Sequence, residues 1–303
     1  MRRSPTGRLA GSVTKTAATT TGRSGMRLAA AKNLLKAWLL VALLAAFCGA
    51  VGWAFGGYRA ASLFAFCALL AAGGVYAYAD RALLGMLGAR EFALAENPIL
   101  RSSVDAMSAK LGIVPPKLYL IADGFPRALV TGRGPRGASI AVSTGLLGAL
   151  PPSELEGVLA HELVHVRTRD VLVQTFAVLL AFFLVELARI GGWFRRALLA
   201  ILGPIAAAFV HVLLSPKREF AADRAAAALV GSPHGLADAL LRLDRASELV
   251  SFTESVVTEP LYTVDPFAEE GLGALFGTHP PLAERVARLR RLDPSWEAAL
   301  HAA

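Results

Sequence analysis

The sequence predicts a mainly α-helical membrane protein with four transmembrane helices and a polar α+β domain built on a small β-sheet. Three observations carry this prediction. Apolar residues form 55% of the 303-residue chain and charged residues only 18%, with a mean hydropathy of +0.51. Soluble domains carry about a quarter charged residues. Two pairs of uncharged runs approach the length that crosses about 30 Å of hydrocarbon as a helix. Between and after these pairs lie polar segments, in which short β-type runs alternate with helical patterns.

Residues 1–36 read as a basic, flexible leader rich in Ser, Thr and Gly. They hold eight of the 31 Lys/Arg and none of the 23 Asp/Glu, so the rest of the chain is formally neutral. A pI near 9.9 would suit a nucleic-acid binder. Charge confined to a tail beside an apolar span fits a membrane surface better. Residues 37–80 read as the first transmembrane hairpin. Ala37–Tyr58 and Ala60–Ala79 are uncharged, and Gly56-Gly57 beside Arg59 supplies the turn. The first run is longer than the 7–15-residue core of a signal peptide. An organellar transit peptide fits the acid-free leader as well.

Residues 81–170 form the first part of the polar domain. Ser102–Leu111 is expected as a helix ended by Gly112. Lys117–Ile121, Ala128–Thr131 and Ser139–Ser143 are expected as strands, the last two joined by the turn Gly132-Arg133-Gly134-Pro135. Residues 171–215 read as a second transmembrane hairpin, with Val171–Val185 and Ala197–Ser215 uncharged. A buried helical hairpin is the competing reading, because Glu186, Arg189 and His211 fall in or near these runs. Residues 216–303 complete the domain with a helix from about Lys217, a loop-rich stretch over 251–277 and an amphipathic helix over Pro281–Leu292. Four spans place both termini on one side. The basic leader, Arg81, Arg90, Arg167, Arg169, Lys217 and Arg218 make that side cytoplasmic, although Arg189, Arg195 and Arg196 oppose it. Abundant apolar surface excludes global disorder. Cys48 and Cys67 sit in apolar runs, too few for a disulfide scaffold. There are no internal repeats.

The chemistry is carried by His161-Glu162-Leu163-Val164-His165. Ser153-x-x-Glu156 upstream has capping-box form and marks a helix start. On that helix His161 and His165 share a face, and two imidazoles at this spacing can bind one Zn²⁺. Glu162 lies about 100° round the helix, where it can reach a water beside the metal without ligating it. A chance match in such a chain is on the order of one in a hundred. Glu219 follows the fourth run by four residues. An antiparallel hairpin would bring it to the membrane face from which the histidines emerge. It is either the third ligand of an open His₂Glu site or a solvated glutamate. Asp223, one turn later, is either a hydrogen-bond partner of a ligand imidazole or part of an i,i+4 charge pattern.

These residues, with Ser215-Pro-Lys-Arg-Glu219-Phe-Ala-Ala-Asp223 and Thr278-His279-Pro280-Pro281, resemble the three signatures of the HtpX-type membrane metallopeptidases, relatives of the CAAX prenyl proteases. Glu96-Asn97-Pro98 and Ala141–Leu147 fit the same layout, and the resemblance spans roughly residues 37–290. It implies a zincin-like (gluzincin) catalytic domain holding one Zn²⁺ per chain by His161, His165 and Glu219, with Glu162 as catalytic base. It also lifts His279 from a loop residue to a candidate oxyanion partner. In one place the chain departs from the family. Pro126-Arg127-Ala128-Leu129-Val130 stands where a Pro-Asn-Ala-Phe-Ala-like string is usual, which bears on substrate preference.

The expected activity is zinc-dependent endopeptidase action on misfolded or damaged membrane proteins, with Ala128, Leu129, Val130 and Thr131 as the edge that holds substrate. The expected setting is a bacterial cytoplasmic membrane, or an organellar one. Polypeptides and lipid are the expected partners, without nucleic acid or nucleotide. An ATP-driven protease is disfavoured because no Gly-x-x-x-x-Gly-Lys-[Ser/Thr] occurs. An intramembrane protease is disfavoured by the charges Arg167, Arg169 and Asp170 beside the motif. The alternatives still open are a zinc-stabilised scaffold or chaperone, which has no use for Glu162, and a CAAX-type processing protease.

Overall fold

The computed structural model describes residues 10–92, 96–173, 216–250 and 281–293. Most of the second apolar hairpin, the loop-rich stretch and His279 lie outside them.

Helix α1 (Ala10–Met86) breaks at Gly56 (φ −157°, ψ 26°) and Gly57 (φ 63°, ψ −153°). The second conformation is essentially glycine-only. There the chain folds back on itself, as Gly56-Gly57 predicts. A Cβ on Gly49 would lie 3.6 Å from that of Ala65, although on one straight helix the two residues would be about 24 Å apart. A Cβ on Gly52 would fall 2.5 Å from the Ala60 carbonyl oxygen, so small residues set how closely the arms approach. Among the described residues, Ser24–Tyr78 is the one stretch long and apolar enough to cross a membrane. Trp38, Leu39, Trp53, Phe55, Leu63 and Phe66 stay exposed on it, a larger apolar surface than a protein shows to water. The leader differs from expectation, because helix runs from Ala10 and its later turns dock on the domain. Ala30 is buried there.

The remaining elements are β1 (Arg90–Glu91), α2 (Pro98–Leu111), β2 (Lys117–Ile121), β3 (Ala128–Gly132), β4 (Ala138–Ser143), α3 (Thr144–Ala149), α4 (Pro152–Thr168), α5 (Pro216–Val230), α6 (His234–Val250) and α7 (Leu282–Arg290). The three expected strands are present, and the two-residue β1 is additional. The sheet order is β1-β2-β4-β3. Strand β2 runs parallel to β4, with Tyr119 opposite Ala141, while β1 and β3 are antiparallel to their neighbours. All six residues of β4 are buried, so its Ser-Ile-Ala-Val run reads as a central strand without alternation.

Helix α2 begins a turn earlier than its apolar pattern suggests. Pro98 opens it, and the Asn97 side chain caps it by accepting from the Leu100 amide. Helix α4 starts without the expected capping box. Pro151 is the cap and makes no side-chain bond, while Ser153 already lies inside the helix. Pro152 at the first position, with φ fixed for helix, moves the start upstream of the serine.

Helix α4 is the centre of the domain. Leu159, Leu163 and Val166 are fully buried and Val158 nearly so, each contributing about 1.5–3 kcal/mol. Its N-terminal end is tied to α6 by Arg242, which donates to both Glu154 carboxylate oxygens at 2.8 and 2.9 Å. The two helices cross at glycines. A Cβ on Gly157 would come within 2.6 Å of the Leu236 nitrogen. Replacing Gly157 by Ala should therefore push α6 off α4 and cost about 1–3 kcal/mol. A melting scan of the detergent-solubilised chain checks this, and an unchanged Tm would contradict the close crossing.

Candidate metal centre

Helix α4 places His161 and His165 one turn apart, and α5 crosses it with Glu219 in its first turn. All three side chains are buried, and Glu219 is only 1% exposed. The His161 and His165 Nε2 atoms are 3.0 Å apart. Glu219 Oε2 lies 3.4 Å from the first and 3.7 Å from the second. The edge of a tetrahedron around an ion with ligand bonds of about 2.0–2.1 Å is about 3.3 Å. The triangle of donor atoms thus has the size that such an ion requires, and these three residues could hold a metal ion.

The far nitrogens explain why the Nε2 atoms face each other. His161 Nδ1 lies 2.9 Å from Asp223 Oδ1. His165 Nδ1 lies 2.8 Å from Asp170 Oδ2. A carboxylate beside Nδ1 holds the proton there and leaves the Nε2 lone pair facing inward. Two lone pairs and a carboxylate oxygen then point into one buried space, an arrangement that a cation relieves.

Both carboxylates are themselves anchored. Arg285 of α7 donates to Asp223 through Nε at 2.9 Å and Nη2 at 2.7 Å. Burial raises the Asp223 pKa, but Arg285 and then His161 outweigh it and bring the group down to about 2. Asp170 accepts from Thr168 Oγ1 at 2.7 Å and from Asn33 Nδ2 at 2.5 Å. Asn33 also donates to the Thr168 carbonyl at 2.9 Å. Burial disfavours the Asp170 anion as well, and His165 and Arg218 more than compensate, so its pKa lies below the usual carboxylate range. Arg218 Nη2 lies 3.3 Å from Glu219 Oε1, and its Nε lies 3.9 Å from Asp170. Burial lowers the imidazole values, but the carboxylates prevail. His161 is raised by Asp223 and Glu219, and His165 is pushed up to about 10, chiefly by Glu219 and Asp170.

Among the described residues, the structure brings His161, His165, Glu219 and Asp223 together as the sequence suggests. Glu162 is half-buried on the next position of α4. The edge residues Ala128–Thr131 lie in β3, which borders the sheet and pairs with β4. Three participants are not foreseen by sequence. Asp170 folds back because α4 ends at Arg169 in the left-handed region, φ 59°. Arg285 is buried on α7 but stands in sequence between Glu284 and Arg288, one charge in a run of charges, which gives no signal by itself. Asn33, in the supposed leader, gives no signal.

Comparison with known proteins extends this picture. Residues 94–293 match the family model described as Peptidase family M48. A Protease HtpX homolog of Acidiphilium cryptum (strain JF-5) is 40% identical over 279 residues, covering 86% of this chain and 96% of its own. One from Pelotomaculum thermopropionicum is 36% identical over 278 residues, covering 86% and 99%. Protease HtpX of Legionella pneumophila (strain Corby) is 37% identical over 283 residues, covering 86% and 99%. Of solved structures, the crystal structure of S. mikatae Ste24p is similar in fold, with a TM-score of 0.50 at 20% identity. That match covers 87% of this chain and 63% of the Ste24p chain.

The site predicts two outcomes. Asp170→Asn should weaken metal affinity about 10–100-fold, because it loosens the hold on His165. Competition with a chromophoric chelator measures this, and unchanged affinity would refute the anchoring role. Metal uptake should also release about one proton or more below pH 10, since a ligand imidazole must be neutral. Apparent affinity then falls as pH falls. Titration calorimetry in buffers of different ionisation enthalpy gives the count, and zero release would contradict the raised His165 value.

Proposed function

We propose, from the premise that this chain belongs to peptidase family M48, that it is a zinc metalloendopeptidase acting at the membrane surface. Its kinship with the HtpX proteases makes it a membrane metallopeptidase. The choice of zinc, the residue roles and the substrate class rest on the chemistry of the site. The observation that carries the reading is the convergence of His161 Nε2, His165 Nε2 and Glu219 Oε2, with a carboxylate behind each imidazole. Two imidazoles and one carboxylate are the donor set of an open, catalytic zinc site. When bound, the ion would supply Lewis acidity, activating a water and polarising the scissile carbonyl.

The chain's own residues do the rest. His161, His165 and Glu219 hold the ion. Glu162, beside the site but outside the ligand set, accepts the proton of the attacking water and passes it to the leaving amine nitrogen. Asp223 and Asp170 keep the imidazoles oriented through the reaction. The outer edge of β3, Ala128 to Thr131, binds the substrate in extended form by backbone hydrogen bonds. Recognition of backbone suits unfolded chains, and docking of α1 on the domain sets the site beside the membrane. Both support misfolded or damaged membrane proteins as substrates. On the resemblance alone, His279 is assigned to the oxyanion.

In the same reading, residues 37–80 and 171–215 are two membrane hairpins, and 81–170 and 216–303 form one catalytic domain on the cytoplasmic side. Cleavage of a casein-like unfolded protein by the purified chain in detergent tests the assignment. Glu162→Gln should lower kcat about 10²–10⁴-fold while zinc content stays at one per chain. Equal rates for both proteins would sink the catalytic role, and a wild-type chain that binds zinc without cleaving would be a scaffold.

A further inference from the structure

The turn that brings Asp170 back to His165 is strained. Arg169 is the one non-glycine residue with positive φ among those described, at 59°. Such a conformation persists only where its surroundings hold it. Asn33 supplies that hold. Its Nδ2 donates to the Thr168 carbonyl at 2.9 Å and to Asp170 Oδ1 at 2.5 Å. One amide thus bridges the residues on either side of Arg169. Thr168 is the last residue of α4, and its carbonyl is among those that a helix end leaves open.

The two oxygens of Asp170 divide their partners. Oδ2 meets His165 Nδ1 at 2.8 Å and accepts from Thr168 Oγ1 at 2.7 Å. Both of those groups belong to α4. Oδ1 accepts from Asn33, while Arg218 Nε stands 3.9 Å away. The Asn33 amide is thus the hydrogen bond that fixes the carboxylate from outside α4. It comes from α1, between Ala30 and Ala37, which are buried on the same helix face. Ala37 opens the uncharged run four residues on, about 6 Å along the helix. The arm that leads toward the membrane therefore grips the acid behind a metal ligand.

We propose that Asn33 is a positioning residue for the metal centre. Through Asp170 it aims the His165 ring, and it makes metal affinity depend on the docking of the first arm of α1. Resting on the zinc assignment of this site, the role adds a control that the membrane arm exerts on the centre. Asn33 touches no ligand and acts at one remove, so its loss should cost less than the 10–100-fold of a group that touches one.

Zinc affinity of the full chain in detergent, measured by chelator competition for the wild type, Asn33→Leu, Asp170→Ala and the double variant, tests this. Leucine keeps the branched shape of asparagine and lacks its donors. Asn33→Leu should weaken zinc binding about three- to tenfold in the otherwise native chain, and less than about twofold where Asp170 is already replaced. The visible absorption of the cobalt-loaded chain should change with Asn33→Leu in the first background only. If Asn33 merely secured the end of α4, its loss would cost the same factor in both backgrounds, and that result would overturn the role. Unchanged affinity in Asn33→Leu would overturn it as well. Asn33→Ala carries the same comparison if the leucine variant does not fold. A wild-type chain that takes up no zinc would sink the zinc assignment and this role together, whereas zinc uptake indifferent to Asn33 would sink this role alone.

Discussion

Two imidazole lone pairs and a carboxylate oxygen are held facing one another out of water, and the rest of the domain answers to that constraint. Without a cation such a cluster takes up protons, as the upward shifts at His161 and His165 reflect, or swells to admit water. Here it is kept closed by a ring of partners. The acids behind the histidines fix their rings, and the guanidiniums behind the acids keep those acids ionised. Each layer needs the next, because removing one member of a buried ion pair strands the other, typically at a cost of 3–5 kcal/mol.

The partners come from widely separated parts of the chain. Helix α4 supplies the histidines, α5 the glutamate and Asp223, α7 the arginine that grips Asp223, and α1 the asparagine that grips Asp170. Sequence-distant contacts of this kind are expensive in chain entropy. They are supported by the apolar packing of α4 against its neighbours, where Leu159, Leu163 and Val166 are buried. The sheet's part is to fix where β3 lies relative to α4. With β4 buried throughout, β3 borders the sheet beside the site.

Much of this was legible in the residues. The paired histidines, Glu219 and Asp223 follow helical spacing, which a local rule reads directly. The three main strands announce themselves by β-type residues between Gly and Pro turns. What was not legible depends on geometry without a local signature. Asp170 reaches His165 only because an arginine adopts a backbone conformation usually left to glycine, and composition pointed instead to a solvated charge. Arg285 reads as one charge in a run of charges until α7 is seen packed on α5. The expected capping box at Ser153 failed because a neighbouring proline set the helix start first. Asn33 falls in a stretch whose Ser, Thr and basic residues resemble a leader, and its reach of 137 positions along the chain to Asp170 has no periodic trace.

That amide contact changes what the start of the chain can be. A segment that looks dispensable supplies the clasp on the acid behind His165. Maturation that trimmed the polypeptide beyond Asn33 would cut away part of the machinery it was meant to release. Any processing compatible with an intact centre must therefore stop upstream of that residue, and the first helix is as much a component of the enzyme as of its anchor.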